Sequence, residues 1–180
     1  LTDLVAHGGA RADAILLAQT MRVTGARDVA ALRDVNELAL ALAPSSERRL
    51  ETAQQGRSFH AAIVAAWSKP AIEWASETLI DEIACPIAVG VACAAHDIPV
   101  ARACEAFALG FVANLVSAAV RLSVIGQTRG QRALAALAAP VAALGAAAAQ
   151  ASLDDLGASA FRSDIASMRH ETQYSRLFRS

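Results

Sequence analysis

The last residues of the chain come close to a zinc-hydrolase motif. In the segment RHETQYSRLFRS, residues 169–180, His170 and Glu171 are followed by Tyr174, where the HExxH motif has its second histidine. In that motif two histidines bind zinc from one face of a helix, and the glutamate acts as the general base. A tyrosine does not replace that second histidine, and nothing in the sequence ties the other histidines to this helix. A metallohydrolase that uses His170 and Glu171 is therefore the weaker interpretation.

The composition of the same segment is typical of a protein-binding tail. Tyr174, Leu177 and Phe178 are spaced i, i+3 and i+4, so a helix would carry them on one face. Arginines flank this face, and aromatic and arginine side chains are enriched at the centres of protein interfaces. A solvated chain end is the simplest alternative. From composition alone, a segment that orders on binding and a packed terminal helix are equally good interpretations.

A second set of polar residues lies on an otherwise apolar helix. Asn114, Ser117 and Arg121 are spaced i, i+3 and i+7, which places them within about 60° of one another, and Gly110 extends the same face. One interpretation is structural: Arg121 pairs with a carboxylate or caps a neighbouring helix, because a buried unpaired charge is costly, and Gly110 lets another helix approach. The other is an interface or channel face that leads into residues 126–131.

The cysteines and arginines give weaker signals. Cys93 and His96 are spaced i, i+3, but no second helix offers the other half of a metal site. We predict buried thiols outside disulfides in a reducing cytosol for all three cysteines, and a helix-end position for His96. The arginines at positions 48, 49 and 57 lie in a charged stretch that fits either an acidic partner or an ordinary solvated helix face. No nucleophile-elbow, P-loop or dinucleotide-binding motif is present, so no cofactor is predicted.

Helices must position these residues. The chain has 180 residues, of which 55% are hydrophobic and 4% aromatic, and it is rich in alanine, the best helix former. We predict an all-α fold, a single bundle of about eight to ten helices with a polar C-terminal tail. Proline, glycine and capping residues place the helices at about 11–23, 28–42, 47–67, 71–80, 86–97, 99–124, 128–151 and from 159 onward.

Three of these helices carry more detailed expectations. Ser45 or Ser46 supplies an N-cap for the third, and Thr128 with Gln131 has capping-box spacing at the start of the seventh. Pro140 is expected to kink or split that seventh helix. The helix over about 99–124 is apolar on most faces and is therefore expected in the middle of the bundle.

Net charge and hydropathy argue against nucleic acid and membrane as binding partners of the chain. The net charge of −1 argues against a nucleic-acid-binding surface. Residues 133–149 are long enough to span a membrane, but they are mostly alanine and contain Pro140 and Gly145, which favours a soluble core helix. The chain begins at Leu1 without a methionine, so further residues are expected in front of it.

Five stretches that span most of the chain occur in the order RADA (11–14), NELALALAPSSERRLETAQQGRSF (36–59), ANLVSAAVRL (113–122), GQTRGQ (126–131) and SMRHETQYSRLFRS (167–180). Together, and in this order, they resemble the urease accessory protein UreF family. The C-terminal stretch is the most specific, while the alanine-rich parts alone carry little information. The chain departs from the family pattern at Val124 and Ile125, where a proline often precedes the glycine.

The resemblance implies a cytoplasmic all-α chaperone that is not itself an enzyme. Proteins similar to UreF form homodimers, bind the accessory protein UreD (also called UreH) and recruit the GTPase UreG for nickel insertion into the urease apoprotein. A further possibility is that the chain modulates GTP hydrolysis by UreG, because an arginine supplied in trans accelerates that reaction on the order of 10³-fold or more. Arg48, Arg57 and Arg121 are the candidates for such an arginine.

The resemblance also assigns site residues and boundaries. It implies a UreF-like domain over residues 1–166, lacking an N-terminal segment of the family, and a docking tail over 167–180 that orders against UreD/UreH. The predicted partner-binding residues are Arg169, His170, Glu171, Tyr174, Arg176, Leu177, Phe178 and Arg179. A second motif, for packing or partner contact, comprises Asn114, Ser117, Arg121, Gly126, Gln127 and Gln131. No catalytic residue and no metal ligand is implied.

Overall fold

The computed structural model describes residues 1–174, and the all-α prediction is confirmed. The described residues form nine α-helices and one short 3-10 helix, Leu153–Asp155. The α-helices are α1 (Thr2–His7), α2 (Gly9–Ala26), α3 (Val29–Ala41), α4 (Ser46–Trp67), α5 (Pro70–Thr78), α6 (Cys85–Ala95), α7 (Val100–Arg121), α8 (Gln127–Ala148) and α9 (Phe161–His170).

Two expectations about α8 are wrong. Gly126 already has the extended backbone of an N-cap, so the helix begins at Gln127 and Thr128 lies inside its first turn without capping it. Of the two outcomes expected at Pro140, a kink or a split, the split is wrong, because the helix continues through the proline. Buried residues on both sides of the proline, Leu137 and Val141, hold the two halves in one helix against the same core.

The chain folds into two compact units, and α2 contributes residues to both. The first unit comprises Leu1–Ala18 and Pro99–Ser159. In it α7 and α8 pack against each other along their lengths, and α1 packs against α8. Gly145 permits the close approach of α7 and α8, because a Cβ atom there would lie 2.8 Å from the carbonyl oxygen of Ala101.

The expectation that α7 is enclosed on every side is wrong for this chain. Its buried residues lie along one face, and 28% of its most apolar 18-residue window is buried. The same fraction is buried in α8, and both helices are long and apolar enough to cross a membrane by length and composition. Both helices therefore keep one side exposed, and on α7 that side includes Leu109 and Gly110 as well as the polar residues Asn114, Ser117 and Arg121.

The second unit comprises Gln19–Ile98 and the residues from Ala160 onward. Its helices α3, α4, α5 and α6 pack together around buried aliphatic side chains. At its centre lies the connection between α5 and α6. The buried Asn36 holds that connection by donating to the Glu82 carbonyl oxygen at 2.7 Å and accepting from the Ala84 backbone N–H at 3.0 Å.

The cysteines and His96 are placed largely as predicted. All three cysteines lie within the described residues and none forms a disulfide; Cys104 is buried, while Cys85 and Cys93 are half-buried. Burial raises the pKa of the Cys93 thiol, so that thiol stays protonated to higher pH. His96 is the C-cap of α6, and its Nε2 lies 3.1 Å from the Trp67 carbonyl oxygen. The predicted helix-end position of His96 is confirmed.

Candidate partner-binding site

Polar side chains join the C-terminal helix α9 to the start of α4. Ser167 Oγ and Ser45 Oγ share a hydrogen bond of 2.7 Å. One turn further along α9, His170 Nδ1 lies 2.6 Å from Glu47 Oε2, so the imidazole donates to the carboxylate. Ser45 is also the N-cap of α4, where its hydroxyl accepts from the Arg48 backbone N–H, as the sequence predicts. The two helices therefore meet at a capped helix start.

Glu171 completes this α9–α4 contact. Its carboxylate accepts hydrogen bonds from the Ser46 backbone N–H at 2.6 Å and from the Ser46 hydroxyl at 2.8 Å. A carboxylate at a helix N-terminus satisfies unpaired N–H groups and interacts favourably with the helix dipole. Hydrogen bonds from Ser46 lower the pKa of Glu171, which favours the charged form that caps α4.

The outer face of α9 is apolar. Phe161, Ile165 and Met168 are spaced i, i+4 and i+7, and they are 68%, 48% and 52% exposed. The residues of α9 that are half-buried are polar: Asp164, Ser167 and His170. The usual arrangement of an amphipathic surface helix is therefore reversed, because the side of α9 that contacts the protein is polar and its apolar stripe is exposed, beside Arg162, Ser163 and Arg169. We call the outward set, Phe161, Ile165 and Met168, the apolar α9 face.

The predicted tail residues fall into three groups. His170 and Glu171 take part in the α9–α4 contact, whereas Arg169 and Tyr174 are exposed to solvent. The remaining predicted tail residues, and with them the proposed Tyr-Leu-Phe stripe, lie outside the described residues. These are Arg176, Leu177, Phe178 and Arg179.

The second predicted motif lies on the surface of the first unit. Asn114, Ser117 and Arg121 are all exposed on α7. A Cβ atom added at Gly110 would have nothing within 4 Å, so no other helix approaches there within the described residues. Gly126 is the N-cap of α8, Gln127 is its first residue, and Gln131 lies one turn further along. All three are exposed.

The stretch NELALALAPSSERRLETAQQGRSF has a structural role around residues 79–85. Besides Asn36, Thr52 accepts a hydrogen bond from the Cys85 backbone N–H at 3.1 Å, and Arg49 pairs with Glu82 at 2.6 Å. Gly56 gives the Ile83 carbonyl room, since a Cβ atom would lie 2.0 Å from that oxygen. These residues fix the backbone between α5 and α6.

The arginines in this stretch differ in whether their guanidinium groups are already paired with a carboxylate. Arg48 pairs with Glu51 one turn away on α4. Arg49 is held by Glu82, whereas Arg57 is exposed. Of the three, Arg57 therefore offers the guanidinium best placed to meet an acidic partner.

The geometry gives the metallohydrolase interpretation no support. Within residues 1–174, no three histidine, cysteine, aspartate or glutamate side chains come together in an arrangement that could hold a metal ion. The His170 ring nitrogen Nδ1 and the Glu171 carboxylate are both engaged with α4.

Comparison with known proteins identifies the family. The model of the UreF family matches residues 1–138, which is more than half of the chain. The chain belongs to the UreF family. It is 54% identical to a urease accessory protein UreF of Xanthobacter autotrophicus over 180 residues, covering 100% of this chain and 74% of the relative. It is 49% identical to one of Azorhizobium caulinodans and 51% identical to one of a Methylobacterium species, covering 100% of this chain in both cases and 78% and 72% of those relatives.

Two features of the candidate site in this UreF-family chain are not evident from the sequence. The family model ends before α9, but the alignments with relatives run through all 180 residues and so include the apolar α9 face. The spacing of Phe161, Ile165 and Met168 indicates that they share one helix face, although periodicity alone would place that face in the core. The role of Glu47 had no local signal, because its partner His170 lies 123 positions away.

Proposed function

We propose that this UreF-family chain is a urease accessory protein that works by binding other proteins and is not itself an enzyme. The observation that carries the proposal is the reversed polarity of α9. Water-exposed Phe161, Ile165 and Met168 gain free energy only when a partner covers them, while hydrogen bonds on the opposite side hold the helix in place. The relatives' name, urease accessory protein, agrees with a role in the maturation of urease.

The partner proposed for this surface is UreD/UreH. The apolar α9 face and the exposed Tyr174 and Arg169 supply the apolar, aromatic and arginine side chains that dominate interface energetics. The α9–α4 contact keeps this helix ordered before binding, which lowers the entropic cost of association. Through that complex the chain recruits UreG and supports nickel insertion into the urease apoprotein in the cytoplasm.

Capture of UreD/UreH tests this assignment. The full chain is expected to retain the partner in a pull-down, and a chain that ends at Ser167 is expected to retain at least about tenfold less, because it lacks the tail and most of the α9–α4 contact. Circular dichroism of both chains is the control for folding. Equal capture by two folded chains would contradict the tail assignment.

We also propose that the exposed faces of α7 and α8 form a homodimer interface. Leu109 is 44% exposed and Gly110 is open, so a second chain can approach closely. Asn114 and Ser117 lie on the same exposed side of α7 and can supply hydrogen bonds. Beyond its first turns, which expose polar residues, the exposed face of α8 consists of Ala135, Ala136, Ala138, Ala139, Ala142, Ala143, Ala146 and Ala147.

The mass of the chain in solution tests the dimer. Light scattering is expected to give the mass of two chains for the wild type and of one chain for Ala139→Glu, which places a charge in the middle of the alanine face. Gln150→Glu adds the same charge just beyond α8 and is expected to leave the dimer intact. A single-chain mass for the wild type would rule out this interface.

Stimulation of GTP hydrolysis by UreG stays a prediction. Arg57 and Arg121 are exposed, whereas Arg48 is held by Glu51. If an arginine of this chain acts on UreG, single-turnover rates should fall in the Arg57→Ala or Arg121→Ala variant. Unchanged rates in both would remove this part of the proposal.

A further inference from the structure

A cleft of about 320 Å³ lies in the first unit. It is formed where α1 ends, α2 begins and the chain returns after the 3-10 helix. The backbone N–H of Ser159 donates to the His7 carbonyl oxygen at 2.7 Å, which fixes the returning chain against the end of α1. The lining residues are His7, Arg11, Gly157, Ala158 and Ser159.

The guanidinium of Arg11 makes few hydrogen bonds with the rest of the described chain. Arg11 is half-buried, and its Nη1 donates to the Asp155 carbonyl oxygen at 2.7 Å, the one side-chain hydrogen bond it makes within residues 1–174. No carboxylate of those residues lies within 4 Å of it as an ion pair. An arginine has five N–H donors, so most of its donor capacity remains for a ligand in the cleft.

The carboxylate of Asp155 would be the natural partner, but it is committed elsewhere. It accepts from the Ser152 backbone N–H at 2.8 Å and from the Ser152 hydroxyl at 3.2 Å, in a capping box around the 3-10 helix. Those hydrogen bonds, and to a lesser degree the charge of Arg11, lower the pKa of Asp155. The local sequence SLDD therefore turns this acid toward Ser152 and leaves Arg11 with a backbone carbonyl.

We propose that this cleft binds a carboxylate group. The planar guanidinium of Arg11 matches a carboxylate with two parallel N–H donors, and two further residues with polar side chains, His7 and Ser159, line the same cleft. One fixed positive charge suits one carboxylate. The volume is near the lower end of the roughly 300–1,000 Å³ typical of ligand pockets, so the ligand is a small acid or one acidic side chain of a protein.

Titration calorimetry at low ionic strength tests the site with two probes, succinate and an acetylated, amidated peptide that contains a single aspartate. Binding of succinate points to a free acid, and binding of the peptide alone points to an acidic side chain. Arg11→Gln keeps an N–H donor for the Asp155 carbonyl and removes the charge, so at least tenfold weaker binding with an unchanged melting temperature is expected. Arg132→Gln makes the same charge change on the exposed surface of α8 and is expected to bind like the wild type.

Three results would overturn the proposal: no binding of either probe to the wild type, equal binding by Arg11→Gln, or an equal loss in both variants. If Arg11→Gln does not fold, Arg11→Lys replaces it. That variant keeps the charge and a donor for the Asp155 carbonyl but loses the bidentate geometry. Weakened binding by a folded Arg11→Lys protein then supports the site, and unchanged binding contradicts it.

Discussion

Gly56→Ala is expected to lower the free energy of unfolding by about 3 kcal/mol, at the upper end of the usual cost of overpacking. The new Cβ atom would lie 2.0 Å from the Ile83 carbonyl oxygen and 2.8 Å from the Ala84 carbonyl carbon. Both are backbone atoms, which cannot turn aside as a side chain can. The adjacent backbone is held by Asn36, so relief of the clash has to disturb those hydrogen bonds as well.

Thermal and urea denaturation followed by circular dichroism measure this effect. For a chain of this size, 3 kcal/mol corresponds to a fall in melting temperature of roughly 6–12 °C. Gly25→Ala is the matched control: it is a helical glycine in the same unit, and its new Cβ would have nothing within 4 Å. That variant is expected to keep its stability or gain up to about 1 kcal/mol. Equal stability of the two variants would show that α4 can move away from Ile83 at little cost.

Helix boundaries were predictable because local chemistry sets them. Pro70 and Pro86 stand in the first turns of α5 and α6, and Ser45 caps α4 with its own side chain, so short sequence windows contain the whole cause. Thr128 fails as a cap for an equally local reason: Gly126 takes the extended conformation and the helix starts before the threonine. Capping-box spacing identifies side chains that can cap, and the backbone before them decides whether they do.

The orientation of α9 was not predictable from its sequence. Hydrophobic periodicity places Phe161, Ile165 and Met168 on one side of the helix and gives no information on which side faces the protein. That choice depends on Ser45, Ser46 and Glu47, which lie more than 120 positions earlier in the chain. A polar contact between distant segments outweighs the local pattern here.

A similar limit explains the misjudged environment of α7. Hydrophobic residues on most of its faces predicted burial on every side, yet one face packs against α8 and the other is exposed. Sequence periodicity cannot distinguish a helix face that is buried within its own chain from one that is buried only when a second chain binds. The role of Asn36 and Gly56 was likewise invisible, because it depends on the path of residues 79–85.

The apolar α9 face yields the prediction with the largest expected effect on binding. The double variant Phe161→Ala/Ile165→Ala is expected to bind UreD/UreH about 100-fold more weakly, a loss of about 2.7 kcal/mol, in the range of interface hot spots. Both side chains are exposed in the free chain, at 68% and 48%, so the melting temperature should change little. Affinity is measured by surface plasmon resonance with the full chain.

Arg162→Ala/Ser163→Ala is the matched control, because both side chains are exposed on α9 but lie outside the apolar face. It is expected to change affinity by less than about threefold, since most interface-rim substitutions cost little. If the apolar double variant binds like the control while the chain ending at Ser167 does not bind, the contact lies in the tail beyond Ser167. The reversed polarity of α9 would then serve only to position that tail, through the hydrogen bonds of Ser167, His170 and Glu171 to the start of α4.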